Sequence, residues 1–220
     1  MDIVNVVKEE LVNLGYPDKV IKTAQVRALS AQIYRTLPDK GIDSVLPLSE
    51  ALFDIEGWAG WVIAFDWAFR VRKQYTRDTF FVFERWLKTY VRDWGDCDDF
   101  CTHALGEIVA QHNDLYELTT RWVDDDNFAV RRAAAVVLIY PINKGRYSGT
   151  LPLKTADLLF SDEHYLVQKG YGWMLKVLST KEPDTVINYL ERHYRQMPRT
   201  AFRYAMEKLD KNTRRRLMAL

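Results

Sequence analysis

The side chains with the most chemical potential crowd into one acidic stretch, DWGDCDDF (93–100), which brings Trp94, Asp96, Asp98 and Asp99 close together. Carboxylates at such separations repel one another, so the stretch needs a reason to exist. One reading makes it the acidic first turn of a helix continuing through FCTHALGEIVAQ, where the macrodipole favours negative charge. The other starts from Trp94 and Asp98, which are four apart and so share a helix face, pairing an aromatic plate with an anion. That combination suits a flat cation or an oxocarbenium-like centre. Other chemistries find less support. His103, His112, His164 and His193 are scattered, and none lies beside a Ser or Cys at a spacing that sets a nucleophile and its base on one turn. Cys97 and Cys101, followed by His103, depart from the Cys-x-x-Cys knuckle and fall short of the four ligands of a structural zinc site, so no metal is expected. KGYG (169–172) lies inside a helical pattern, not in a strand–turn–helix unit, so no nucleotide cofactor is expected either.

The elements that must position these residues read as helices throughout. Ile3, Val7, Leu11 and Leu14 recur at spacings of three and four, and VIKTAQVRALSAQIYRTL (20–37) carries a second such face. Pro17, Pro38 and Pro47 are expected to bound the next pieces. Two strongly apolar helices follow over 57–75 and 77–93, where the core begins. Further helices are predicted over about 97–111, 114–123, 127–140, 152–160, 163–178, 183–195 and 199–210, a pattern set by periodicity and turn residues. In AAAVVLIY (133–140) the β-branched residues argue for a strand, but the run extends back to a cap at Asp126 or Asn127 and becomes too long for one. The short loops suggest stacked helix pairs of the HEAT or armadillo kind, in one domain over 1–220. The loop GRYSGTLP (145–152) is a candidate division between two helical halves.

Composition narrows the class further. The chain has 220 residues, 48% of them hydrophobic and 13% aromatic, with 31 basic against 30 acidic groups, which excludes disordered and collagen-like classes. Two cysteines make no disulfide framework, and the N-terminus lacks the basic-then-apolar pattern of a signal peptide, so a reducing, cytoplasmic home is expected. No apolar run reaches the roughly 18 residues of a membrane span. The near-neutral total conceals an asymmetry, because residues 111–220 hold 18 basic and 13 acidic groups. The last thirty hold nine basic and three acidic, a density that suits a polyanion or an exposed helix face.

Three blocks carry a resemblance to a known family. WGDCDDFCTHALGEI (94–108), DNFAVRRAAAV (126–136) and QKGYGWMLK (168–176), with the closing MPRTAFRYAMEKL (197–209), resemble in order the AlkD-type DNA alkylation repair glycosylases, which are built from HEAT-like repeats. The resemblance implies an all-α, HEAT-like helical-repeat solenoid with a concave basic DNA-binding face. It implies hydrolysis of the N-glycosidic bond of N3- or N7-alkylated purines in duplex DNA by a monomer without cofactor, the lesion staying stacked. On this resemblance Asp98, Trp94 and Trp173 are the catalytic residues, and Arg132, Arg131, Lys169, Arg199 and Arg203 bind DNA. Without the resemblance, the favoured reading of Trp94 and Trp173 is core packing, and that of Arg132 is a salt bridge to the acidic cluster at 124–126. A glycosylase-inactive DNA binder and a HEAT-like protein scaffold stay open beside the enzyme. TAQVRALSAQIYR (23–35) is only loosely similar to the family's corresponding helix and lacks its proline.

Overall fold

The computed structural model describes residues 2–220, and among them every regular element is helical. The chain divides into two compact units, one ending at Thr79 and one spanning Phe80–Leu220. The loop at 145–152 therefore lies inside the second unit and not between the two. None of the described helices is long and apolar enough to cross a membrane.

The first unit contains α1 (Ile3–Asn13), α2 (Thr23–Thr36), α3 (Ile42–Ala51) and α4 (Trp58–Arg70). Asp2 caps α1 by accepting from the amides of Val4 and Asn5, which satisfies donors that the first turn leaves orphaned. α4 is apolar nearly all round and packs against α2 and α3, with Trp67 fully buried and its Nε1 donating to the Ser30 carbonyl at 3.2 Å. Two expectations are corrected here. The second helix begins at Thr23, leaving Val20 outside it and fully exposed, and Pro47 lies inside α3 instead of ending a segment. Proline there forgoes one backbone bond, a loss that packing of α3 on α4 offsets.

α5 (Arg77–Thr89) leads into the second unit, which continues with α6 (Trp94–Cys101), α7 (Ala104–Gln111), the single turn α8 (Tyr116–Thr119), α9 (Phe128–Val136), α10 (Ile139–Lys144) and α11 (Pro152–Leu158). It closes with α12 (Tyr165–Leu178), α13 (Pro183–His193), α14 (Arg199–Ala205) and α15 (Lys211–Met218). α6 packs on α9, α9 on α12 and α12 on α14, while α7 packs on α10, so consecutive helix pairs stack on one another. Three predicted helices are subdivided. The segment 97–111 breaks after Cys101 because the Thr102 hydroxyl donates to the Asp98 carbonyl at 2.6 Å and the His103 ring takes the Asp99 carbonyl at 2.8 Å, satisfying the end of α6 locally. The segment 127–140 breaks at Val137–Leu138, since Pro141 supplies no amide for the turn before it. The segment 114–123 is one α-helical turn between 3₁₀ turns. Last, α15 was not expected at all. Its only buried residue is Leu217, and Asp210 starts it by accepting from the amides of Asn212 and Thr213.

Two glycines two positions apart shape α12. A methyl on Gly170 would meet Arg132 Cγ of α9 at 3.0 Å, and one on Gly172 would meet the Ala201 carbonyl of α14 at 2.8 Å. KGYG is thus a packing device that lets α12 approach one helix on each side.

Candidate functional site

The acidic stretch forms the start of α6. Asp93 caps it by accepting from the Trp94 amide at 2.6 Å, so the residues after it enter helical register at once. Trp94, the first helical residue, is half exposed. Asp98 follows one turn later on the same face, with a fifth of its side chain exposed.

Asp98 meets Arg132, which reaches it from α9. Arg132 Nε donates to Asp98 Oδ1 at 2.8 Å and Nη2 to Oδ2 at 2.9 Å, a two-pronged ion pair, while Nη1 donates to the Leu166 carbonyl just inside α12. α9 is fixed in turn by Asn127, whose Oδ1 accepts from the Ala129 amide and whose Nδ2 donates to the Val91 carbonyl at 2.8 Å, just ahead of α6. Arg132 is only 5% exposed, so its charge is removed from water and depends on Asp98. Burial pushes the Asp98 carboxyl above the usual aspartate range, with the Arg132 bonds and charge working against it. Burial disfavours the charge on Arg132, but Asp98 outweighs it and holds the guanidinium protonated more firmly than usual. Asp96, on the other side of the helix, has no such partner among the described residues. Burial and the neighbouring Asp93 and Asp99 charges push it up to about 6.

The other predicted residues divide sharply. Trp173 lies on α12 one turn beyond Gly170 and is half-buried, so it is not simply a core residue. Lys169 is one turn before Trp173, with its Nζ 5.0 Å from the centre of the Tyr165 ring and 5.9 Å from that of Tyr204. Arg131 is tied into the fold, donating to Asp162 at 2.6 Å and to the Asp125 and Asp126 carbonyls. Hence the acidic loop at 124–126 engages Arg131 and not Arg132. Arg199 and Arg203 are both exposed, and Arg199 lies over the Phe202 ring and against the Met218 sulfur. Arg132 itself, expected to bind a phosphate, is turned inward onto a carboxylate.

Sequence reasoning passed over Tyr165, which is 56% exposed at the start of α12. Its signal was present, because Tyr165, Lys169 and Trp173 recur every four residues and form one stripe. Gly170 was also missed, since its role depends on a helix 38 positions away in sequence (170 − 132). Cys97 and Cys101 are buried free thiols with sulfurs 4.0 Å apart, and His103 turns toward Asp99 instead of toward them.

An all-helical unit of stacked pairs, with a carboxylate–guanidinium pair beside an exposed tryptophan, agrees with the comparisons to known proteins. The sequence model of the DNA alkylation repair enzyme family matches residues 8–209, and the chain belongs to that family. Among solved structures it is similar to a predicted DNA alkylation repair enzyme from Enterococcus faecalis, at 19% identity and a TM-score of 0.71 over 87% of both chains. It is also similar to smu.31 of Streptococcus mutans UA159, at 14% identity and a TM-score of 0.63 over 94% of this chain and 100% of that one. AlkD2 from Streptococcus mutans is similar at 14% identity and a TM-score of 0.61 over 93% and 99%. At these identities the structures speak for the helical-repeat fold alone. No curated protein matches the chain.

Proposed function

We propose that this protein is a DNA glycosylase that hydrolyses the N-glycosidic bond of N3- or N7-alkylated purines in duplex DNA. The observation that carries the reading is the Asp98–Arg132 pair, with the carboxylate at its more exposed end and Trp94 one turn away on the same face. Alkylation leaves the purine positively charged, so it departs with the bonding electron pair as a neutral base and needs no general acid. Water supplies the oxygen that bonds to C1′ and loses a proton. What the protein must stabilise is positive charge developing on the sugar, and a carboxylate fixed in advance does so without reorganising. Arg132 consumes one acceptor position on each Asp98 oxygen and leaves the others free, so it acts first as the group that orients the carboxylate. Trp94 and Trp173 supply π-faces for the cationic sugar, and Arg199 and Arg203 are the predicted DNA contacts that stand exposed, with Lys169 part-exposed beside Tyr165. The enzyme acts in the cytoplasm as a monomer, with no cofactor.

One observation favours a second reading. The same two-pronged pairing partly neutralises Asp98, as a purely structural ion pair would, and the protein would then bind damaged DNA without excising anything. The test is release of free N7-methylguanine from methylated duplex DNA by purified protein. Wild type is expected to release it, and Asp98→Asn to do so roughly ten- to a thousandfold more slowly at unchanged or slightly higher DNA affinity. Equal release by the two proteins would remove Asp98 from the mechanism, and no release by wild type would leave DNA binding alone.

A further inference from the structure

The C-terminal helices hold a basic pocket remote in sequence from Asp98. It is an open depression of about 330 Å³ between α14 and α15, lined by Arg203, Lys211, Arg214 and Arg215 above Met206 and Met218. Glu207 is its one acidic lining residue, and that carboxylate is already paired with Lys176 of α12. Arg203, Lys211, Arg214 and Arg215 are all exposed, and among the described residues none of them has an ion-pair partner. Their neighbours behave otherwise, since Arg216 pairs with Glu191 and Arg199 packs on Phe202 and Met218. Four like charges facing one pocket repel one another, a cost that a bound polyanion removes.

We infer that this pocket is a second DNA-backbone site, which grips phosphates of the duplex outside the position occupied by the lesion. This inference deepens the proposed function and rests on DNA being the partner. Lys211, Arg214 and Arg215 stand three and four apart and so project from one face of α15, and Arg203 joins them from α14, so that the cationic groups come from two helices. That arrangement fits successive phosphates of a strand better than a single free ion. The thioether floor, with Met206 buried and Met218 42% exposed, gives the apolar face of a deoxyribose something to lie on. A link toward the lesion-facing helix exists, because Tyr204, next to Arg203, meets the ammonium of Lys169, one turn from Trp173. An acidic protein surface is the competing partner, and the test includes it.

The experiment titrates the full-length protein with an undamaged duplex at several salt concentrations, so that no excision is involved. Neutralising two phosphate contacts in Arg214→Gln/Arg215→Gln is expected to lower the slope of log affinity against log salt by about 1.8, at about 0.9 per phosphate. Affinity at low salt should fall roughly tenfold or more. Arg214→Lys/Arg215→Lys should restore most of the slope, which a role in folding alone would not require. An unchanged slope in the glutamine variant, with duplex binding otherwise intact, overturns the inference and leaves the excision test of the lesion site untouched. Displacement of a polyglutamate probe by these substitutions, with DNA binding unaffected, likewise overturns it in favour of a protein partner.

Discussion

Arg132 and Arg215 are the same side chain put to opposite uses within one compact unit. Arg132 sits between α6, α9 and α12, almost without exposure, with a carboxylate and a carbonyl holding its guanidinium. Arg215 stands on a helix with one buried residue and, among the described residues, has no ion partner. The first arrangement fixes a geometry in advance, while the second leaves a charge waiting for a ligand. Net charge conceals this distinction, because the paired and the waiting arginines count alike in it.

The largest test of the contrast is stability. Arg132→Ala strands the Asp98 carboxylate in a half-buried place and is expected to cost about 3–5 kcal/mol in denaturant unfolding. Arg215→Ala should change it by no more than about 0.5 kcal/mol, as exposed positions usually do. Equal losses at the two positions would break the comparison. It is sharpened by Asp98→Leu/Arg132→Met, which replaces both charges by apolar groups and should recover much of the lost stability while excising nothing. A double variant that is both stable and active would remove the pair from the mechanism.

A smaller effect is expected at Gly170. A methyl there presses on Arg132 Cγ at 3.0 Å and on Nη1 at 3.2 Å, and Arg132 is held at its far end by three hydrogen bonds. Alanine gains about 1 kcal/mol over glycine in a helix, which offsets much of the crowding, so Gly170→Ala should lie within about 1 kcal/mol of wild type in stability. Excision should still fall several-fold, since a carboxylate displaced by a few tenths of an ångström is poorly placed. Wild-type excision in this variant would show that the position of Arg132 is not critical.

How much of this was legible in the sequence depends on the range of the interaction. Helical class followed from local periodicity, and Asn127 was one of two caps named in advance. Trp94 and Asp98 could be put on one face by counting. The ends of helices were less legible where a side chain decides them, as Thr102 does by turning back onto the Asp98 carbonyl, or where packing overrides proline, as at Pro47. α15 was missed because three consecutive arginines mask its single anchor, Leu217. Least legible was the direction of each arginine. Arg131 and Arg132 are neighbours, and only the stacking of α9 between α6 and α12 sends one to Asp162 and the other to Asp98.

The smallest expected effect compares Asp98 with Asp96, two carboxylates on one short helix. Asp96 lacks an arginine, and burial, with Asp93 and Asp99 nearby, pushes its carboxyl up to about 6. The folded state therefore holds this proton more tightly than the unfolded chain does, in which an aspartate titrates near 3.9. Wherever the native state binds more protons, stability falls as pH rises, so the contribution is fully present below about pH 4 and is lost as pH climbs through about 6. At pH 7 the native protein carries a charge it holds poorly, and Asp96→Asn should be more stable than wild type by on the order of 1 kcal/mol, after discounting for solvent reaching the group. Below about pH 4 that gain should vanish, because wild type is then protonated as well. Urea unfolding of both proteins across this range measures the difference directly. A gain that stays constant with pH would mean that the substitution acts through packing, and the contrast between a partnered and an unpartnered aspartate on α6 would lose its electrostatic basis.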